Sequence, residues 1–156
     1  MSATRYPSRR DVLRLAVGAT AAALIAPTLA AAPEQRMRKI PKTGETLPAI
    51  GLGSWQTFDV GAAAGERSAQ REVLKLFIEQ GGRVVDSSPM YGESESVIGD
   101  LAADLGVTSK LFVATKVWTS GREAGIRQME QSFQRLRTKK MDLMQVHNLL
   151  DWKTNL

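Results

Sequence analysis

Short apolar runs alternate along the chain with longer segments whose apolar residues recur every three or four positions. The short runs predict four β-strands, at residues 49–52, 83–86, 111–117 and 142–147. The longer segments predict three amphipathic helices, one over 68–80, one over 94–105 with Ser94 as its N-cap, and one that opens with a capping box at 120–123 and carries the stripe Ile126, Met129, Phe133 and Leu136. Strands that alternate with helices predict an α/β fold with a parallel sheet.

A short hairpin is predicted ahead of the first of these strands. Residues 37–40 and 46–50 flank the turn-like cluster Pro41-Lys42-Thr43-Gly44. This hairpin leads directly into the first strand of the alternating pattern.

Two α/β architectures fit this alternation, a barrel and a doubly wound sheet. A dinucleotide-binding doubly wound sheet calls for G-x-G-x-x-G after its first strand, whereas Gly51-Leu52-Gly53-Ser54-Trp55-Gln56 has no third glycine and no helix directly after it. We therefore expect a (β/α)8 TIM barrel, which needs about 250 residues. Only its first four strands and three helices fit before Leu156, so residues 31–156 read as the N-terminal half of a barrel.

The first 30 residues have the layout of a signal peptide. Arg5, Arg9 and Arg10 precede a stretch rich in Ala and Leu, and the segment ends in small residues. Ser8-Arg9-Arg10-Asp11-Val12-Leu13-Arg14 resembles a twin-arginine export motif. We expect cleavage after Ala30, the twin-arginine export machinery as a partner, and a periplasmic or exported protein without stable membrane insertion. An uncleaved membrane anchor is the alternative, although Arg14 interrupts the apolar stretch.

The composition narrows the range of functions. The chain has no cysteine and a single histidine, which argues against disulfides, thiolate chemistry and a metal site. Removal of residues 1–30 takes away four arginines and one aspartate and lowers the net charge from +5 to +2. No basic cluster interleaved with aromatic residues remains, so nucleic acid is not an expected partner.

Candidate chemistry follows the predicted strands at regular intervals. Trp55, Asp86, Lys116 and His147 lie 31, 30 and 31 residues apart, and barrel active sites form where strands end. Lys116 closes an apolar strand, where an unpaired charge is costly, and Asp86 on the neighbouring strand is its expected partner. Tyr91 lies in the loop after Asp86, and a nearby ammonium would stabilise its phenolate and make the phenol a better general acid.

Four stretches together resemble the N-terminal half of an aldo-keto reductase: Gly51 to Trp55, Asp86-Ser87-Ser88-Pro89-Met90-Tyr91-Gly92, Thr115-Lys116-Val117-Trp118, and Asp142 to Asn148. The resemblance implies reduction of an aldehyde or ketone to an alcohol, with hydride from NADPH and Tyr91 as the proton donor. It implies that Asp86 and Lys116 tune Tyr91 and that His147 orients the carbonyl. It also implies that Trp55 and Trp118 line the substrate pocket, and that Ser54, Trp55 and Asp86 contact the cofactor.

Two other functions remain open at this point. Lys116 could be the Schiff-base lysine of a barrel aldolase, although pairing with Asp86 would keep it protonated. The chain could also be a truncated, inactive half-barrel or a binding module. The family's remaining cofactor contacts lie largely in its second half, so we expect residues 31–156 alone to be inactive.

Overall fold

The structure, a computed structural model, describes residues 35–156; the predicted signal peptide therefore lies outside the described residues. The strands are β1 (Met37–Lys39), β2 (Thr46–Pro48), β3 (Leu52–Gly53), β4 (Val84–Asp86), β5 (Phe112–Val117) and β6 (Leu143–Val146). The α-helices are α1 (Ser68–Glu79), α2 (Ser94–Asp104), α3 (Arg122–Arg135) and the short α4 (Trp152–Asn155). Two 3-10 turns, Thr108–Lys110 and His147–Leu149, precede β5 and follow β6.

The predicted hairpin is confirmed. Strands β1 and β2 pair antiparallel, with Arg38 opposite Leu47. Gly44 adopts a φ of +78° in the connecting turn, a conformation that glycine enters without steric cost.

Strands β3 to β6 form a parallel sheet in sequence order, as the alternating pattern predicts. In the β4–β5 register Asp86 lies opposite Ala114, two residues before Lys116. Since side chains two positions apart on a strand share a face, Asp86 and Lys116 point to the same side of the sheet. The sheet therefore brings this pair together without any special loop.

Helices α1, α2 and α3 cover the opposite face of the sheet. Leu74 of α1, Ile98 of α2 and Leu136 at the end of α3 share one buried cluster with Val85 and Val113 of the sheet. A doubly wound sheet places helices on both faces. Among residues 35–156, helices α1 to α3 cover one face alone, which favours the barrel over the doubly wound sheet.

The first strand of the sheet begins later than predicted. The predicted strand at 49–52 is replaced by the two-residue β3, and the Ala49 N–H instead donates to the Arg36 carbonyl at 2.8 Å. Ala49 and Ile50 are exposed. Ala49 therefore extends the hairpin and Ile50 lies in neither strand, so apolar character alone did not locate the start of the sheet.

The three predicted helices are present, but both predicted caps are wrong. Ser94 is the first residue of α2, and its buried hydroxyl donates to the Ser54 carbonyl at 3.2 Å. At α3 the N-cap is Gly121, without a side-chain cap, and its N–H donates to the Asp151 carboxylate at 2.8 Å. A distant residue thus replaces the local cap expected from Ser120.

The sequence pattern predicted three helices, and α4 is an addition to them. It is a single turn that follows Asp151, and the Asn155 amide anchors it by donating to the Thr119 carbonyl at 3.0 Å. Its four residues are too few for apolar periodicity to reveal. Among residues 35–156, none of the helices has the length and apolar character required to cross a bilayer.

Candidate active site

Lys116 lies at the centre of the predicted cluster. Its ammonium donates to Asp86 Oδ1 at 2.7 Å and to the Ser87 carbonyl at 2.7 Å. The Lys116 side chain is 12% exposed and that of Asp86 is 40% exposed, so the charge pair opens to solvent on the Asp86 side. The pairing predicted from the strand ends is present.

Tyr91 folds back over this pair. The loop between β4 and α2 turns tightly, with the Tyr91 N–H donating to the Ser88 carbonyl at 3.0 Å, and Gly92 follows at a φ of +55°. The Lys116 ammonium lies 5.1 Å from the centroid of the Tyr91 ring, which is cation–π range. Tyr91 is half-buried, and its ring contacts among residues 35–156 are with Trp55, His147 and the Lys116 ammonium.

His147 completes the cluster from the end of β6. Its ring lies edge-on to Tyr91, with the centroids 5.6 Å apart and an interplanar angle of 89°. Burial and the nearby Lys116 ammonium lower the pKa of His147, and the Asp86 carboxylate opposes them only in part. The neutral imidazole therefore predominates at neutral pH.

Ser88 fixes the orientation of the His147 ring, a role that the sequence did not reveal. The Ser88 hydroxyl lies 2.8 Å from His147 Nδ1 and accepts the Met90 N–H at 3.2 Å. When the hydroxyl donates its proton to Nδ1, the ring carries its own proton on Nε2. Ser88 belongs to the motif that begins at Asp86, but only the fold shows that its hydroxyl contacts His147 at the end of β6.

The two tryptophans predicted to line a pocket differ in their contacts. The Trp55 ring lies 6.5 Å from that of Tyr91, is tilted by 43°, and is 61% exposed. Trp118 is 40% exposed at the end of β5. Its N–H donates to the Gln128 side-chain oxygen, and the Gln128 amide donates to the Trp118 carbonyl. Trp118 has no ring contact with the cluster among the described residues. Trp55 thus joins the cluster directly, whereas Trp118 stands at the same edge of the sheet.

Ser54 does not fit the predicted cofactor contact. It is fully buried, and its hydroxyl donates to the Asp86 carbonyl at 3.0 Å and approaches the Ser87 hydroxyl to 2.9 Å. A hydroxyl engaged in this way supports the backbone that carries Asp86 and is not free to bind a ligand. The cofactor contacts expected from this strand end therefore narrow to Trp55 and Asp86.

The described residues hold no group of three or more His, Cys, Asp or Glu side chains arranged to bind a metal ion.

Beside the cluster, a side chain added at Gly53 would meet nothing within 4 Å. Asp86 lies opposite Gly53 in the β3–β4 register, and the exposed Trp55 follows Gly53 by two residues. A planar ring with a polar substituent is the kind of group that these neighbours suit.

Comparison with known proteins places this cluster in a family context. The model of the aldo/keto reductase family matches residues 49–154. The methylglyoxal reductase YeaE of Escherichia coli is 35% identical over 106 residues, which cover 65% of this chain and 36% of YeaE. The glycerol 2-dehydrogenase (NADP(+)) of Saccharomyces cerevisiae is 32% identical over 106 residues, 67% of this chain and 31% of that enzyme.

Solved structures show the same likeness in three dimensions. An aldo-keto reductase from Klebsiella pneumoniae, crystallised in complex with NADPH, superposes with a TM-score of 0.62 at 27% identity, covering 73% of this chain and 39% of its own. The chain spans about a third of the length of the curated relatives it matches. With more than half of its residues matched by the family model, the chain belongs to the aldo/keto reductase family.

Proposed function

We propose that this chain supplies the proton-donating part of an NADPH-dependent reductase that converts an aldehyde or ketone to an alcohol. The observation that carries the proposal is the Lys116 ammonium, held by Asp86 at 2.7 Å and placed 5.1 Å from the Tyr91 ring. An ammonium in that place stabilises the phenolate that remains once Tyr91 has given up its proton. Family membership supports the same chemistry.

NADPH, when bound, would supply the hydride for the carbonyl carbon. Trp55 and Asp86 are the residues of this chain that would hold its ring, beside the open space at Gly53. As negative charge develops on the carbonyl oxygen, the Tyr91 hydroxyl donates its proton there, which balances the added hydride and yields the alcohol. Lys116 stabilises the phenolate, and Asp86 keeps Lys116 in position.

His147 orients the carbonyl in this proposal. Its neutral ring, bonded through Nδ1 to Ser88, presents the Nε2 proton to the carbonyl oxygen. This hydrogen bond places the oxygen beside the Tyr91 hydroxyl and polarises the carbonyl. The exposed Trp55 and Trp118 rings at the same edge suit a small, partly apolar substrate.

A chimera tests the proposal. Residues 49–154 of this chain would replace the matched segment of YeaE, and NADPH oxidation would be followed with methylglyoxal, the substrate class in that relative's name. We expect turnover, and a loss of about 10²-fold or more in kcat with Tyr91→Phe, while NADPH binding by fluorescence quenching stays near the parent value. A Tyr91→Phe chimera with parent-like kcat would contradict the proton-donor role.

A Schiff-base aldolase is the competing enzymatic function. Lys116 gives hydrogen bonds to Asp86 and to the Ser87 carbonyl, and both would have to break before its nitrogen could attack a carbonyl. Borohydride treatment of the chimera with methylglyoxal separates the two functions. A covalent adduct on Lys116 together with loss of NADPH oxidation would favour the aldolase.

We also propose that residues 1–30 direct export through the twin-arginine route. The motif around Arg9 and Arg10 supports it, and this route carries folded proteins, so a cofactor can be inserted before translocation. Replacement of both arginines by lysine should retain the precursor in the cytoplasm. Continued periplasmic accumulation would instead indicate ordinary secretion, and a precursor that stays uncleaved in the membrane fraction would indicate an anchor.

A further inference from the structure

Glu95 is a buried carboxylate that the proposed reaction does not use. It lies in the first turn of α2, four residues beyond Tyr91, and its side chain is 0% exposed. Its Oε1 accepts the Thr115 hydroxyl at 2.6 Å. Its Oε2 lies 3.7 Å from the Arg135 guanidinium and, like the nearby buried Ser132 hydroxyl, has no hydrogen-bond partner among the described residues.

This arrangement is not explained by stability alone. Burial raises the pKa of Glu95, although the Thr115 and Ser132 hydroxyls and the Arg135 and Lys116 charges favour its ionised form. A buried carboxylate with one oxygen that lacks a hydrogen bond is costly, and an apolar side chain of similar size would avoid that cost. A specific contact made by Glu95 is therefore the feature to explain.

That contact is a bond between two segments of the candidate site. Thr115 directly precedes Lys116 on β5, and adjacent residues of a strand point to opposite faces. Glu95 thus fixes β5 from the helix side at the point where Lys116 projects from the other side. Since α2 begins three residues beyond Tyr91, the same bond fixes the end of the loop that carries Tyr91.

We propose that Glu95 is a positioning residue that sets the distance between the Tyr91 ring and the Lys116 ammonium through its hydrogen bond to Thr115. The inference rests on the proposed function, in which the ammonium stabilises the Tyr91 phenolate. Strand pairing sets the position of Lys116 relative to Asp86. The Tyr91 loop belongs to no strand, and Glu95 ties its far end to β5.

Tyrosinate absorbance in the full chain measures this coupling without any enzymatic activity. The chain has two tyrosines, so Tyr6→Phe leaves Tyr91 as the single reporter. In that background Lys116→Met gives the full effect of losing the ammonium, a rise in the pH at which Tyr91 ionises. We expect Thr115→Val and Glu95→Ala to produce at least half of that rise.

The variants separate positioning from charge. Loss of the Glu95 charge by itself would favour the phenolate and shift the titration to lower pH, opposite to the expected change. Thr115→Val leaves the charge in place and suits a strand, so it is expected to fold. Glu95→Gln keeps an acceptor for Thr115 but removes the charge, so Tyr91 should titrate at or below the pH of the background chain.

Asp142→Asn is the matched control. Asp142 is also a nearly buried carboxylate that bonds β5, at the Val113 N–H at 2.8 Å, but it lies at the far end of the strand from Lys116. It should lower stability without moving the Tyr91 titration. If the pH at which Tyr91 ionises rises with Lys116→Met but not with Thr115→Val or Glu95→Ala, the inference about Glu95 is wrong and the proposed function stands. If that pH does not change with Lys116→Met, both the proposed role of Lys116 and the inference about Glu95 are wrong.

Discussion

Lys116 shows how a single residue can shape a site through its charge. The ammonium is held by Asp86 and the Ser87 carbonyl, lies close to the Tyr91 ring, and adds to burial in lowering the pKa of His147. One mostly buried positive charge thus lies beside both neighbours, and it favours the neutral form of His147. In the proposed reaction, one of these neighbours gives up a proton and the other stays neutral to hold the carbonyl.

The lowered pKa of His147 predicts the pH dependence of the YeaE chimera. Because the shift is downward from 6.5, the ring should stay neutral between pH 8 and 6.5 and take up a proton only below that range. We expect kcat/KM for methylglyoxal to be nearly constant across that range and to fall at lower pH. His147→Gln should lower kcat/KM by about 10-fold or more and abolish that fall. A parent profile that already declines above pH 6.5 would contradict this assignment.

The raised pKa of Glu95 predicts how stability depends on pH. Its folded-state value lies above the unfolded value of 4.5, so between the two the folded chain binds more protons and stability falls as pH rises. Glu95→Gln removes this dependence. In urea unfolding, we expect the free energy of unfolding of the variant minus that of the parent to increase as the pH rises from 4.5 to 7.5. An unchanged difference across that range would show that burial does not disfavour the charged form.

At the scale of elements, β5 organises the site on both faces. Lys116 meets Asp86 on one face, while Thr115 meets Glu95 and Val113 joins the helix-side core on the other. Its six residues are all buried except Lys116, which is partly so. The strand therefore fixes the chemical group and the helices behind it at the same time.

The C-terminal turn is tied to the loop after β5 by Asp151. Its carboxylate accepts the Gly121 N–H and the Thr154 hydroxyl, both at 2.8 Å, and these bonds lower its pKa. This contribution to stability is present above pH 3.8 and lost as the pH falls through the folded value. We expect Asp151→Asn, which tolerates the local φ of +46°, to speed amide exchange at Gly121 about fivefold at neutral pH.

Thr154→Val is the control for that exchange experiment, because it removes the other side-chain hydrogen bond of the Asp151 carboxylate and leaves the Gly121 bond intact. It should change exchange at Gly121 far less. Equal exchange at Gly121 in Asp151→Asn and the parent would show that the carboxylate does not hold this loop.

The sequence predicted those elements and contacts that depend on neighbouring positions. Strands β4 to β6 and helices α1 to α3 follow local apolar periodicity, and the Asp86–Lys116 pair follows from the order of parallel strands. Several of the bonds that it missed join distant residues through hydroxyl groups, as Ser88 does with His147 and Ser94 does with Ser54. A serine gives no pattern that identifies its partner, so its local capping preference was the only available guide.

At the scale of the whole molecule, the four-stranded sheet ends in two strands with one neighbour each. Strand β3 pairs only with β4, and β6 only with β5, among residues 35–156. Along β6, Leu143 is 43% exposed, and Leu149 beyond it is 70% exposed. Unpaired strand edges with apolar side chains invite pairing with another chain, and a barrel removes such edges by closing on itself.

We therefore expect purified residues 31–156 to associate and to show no reductase activity. The β3 and β6 edges favour association, and the face that carries Lys116 and Asp86 lacks opposing strands that would bury it. Among residues 35–156, Trp55 and Asp86 are the cofactor contacts that we propose, too few to hold a dinucleotide. Light scattering gives the oligomeric state, NADPH oxidation with methylglyoxal gives the activity, and the YeaE chimera is the positive control. Turnover by a monodisperse monomer would show that four strands suffice to hold both cofactor and substrate beside Tyr91.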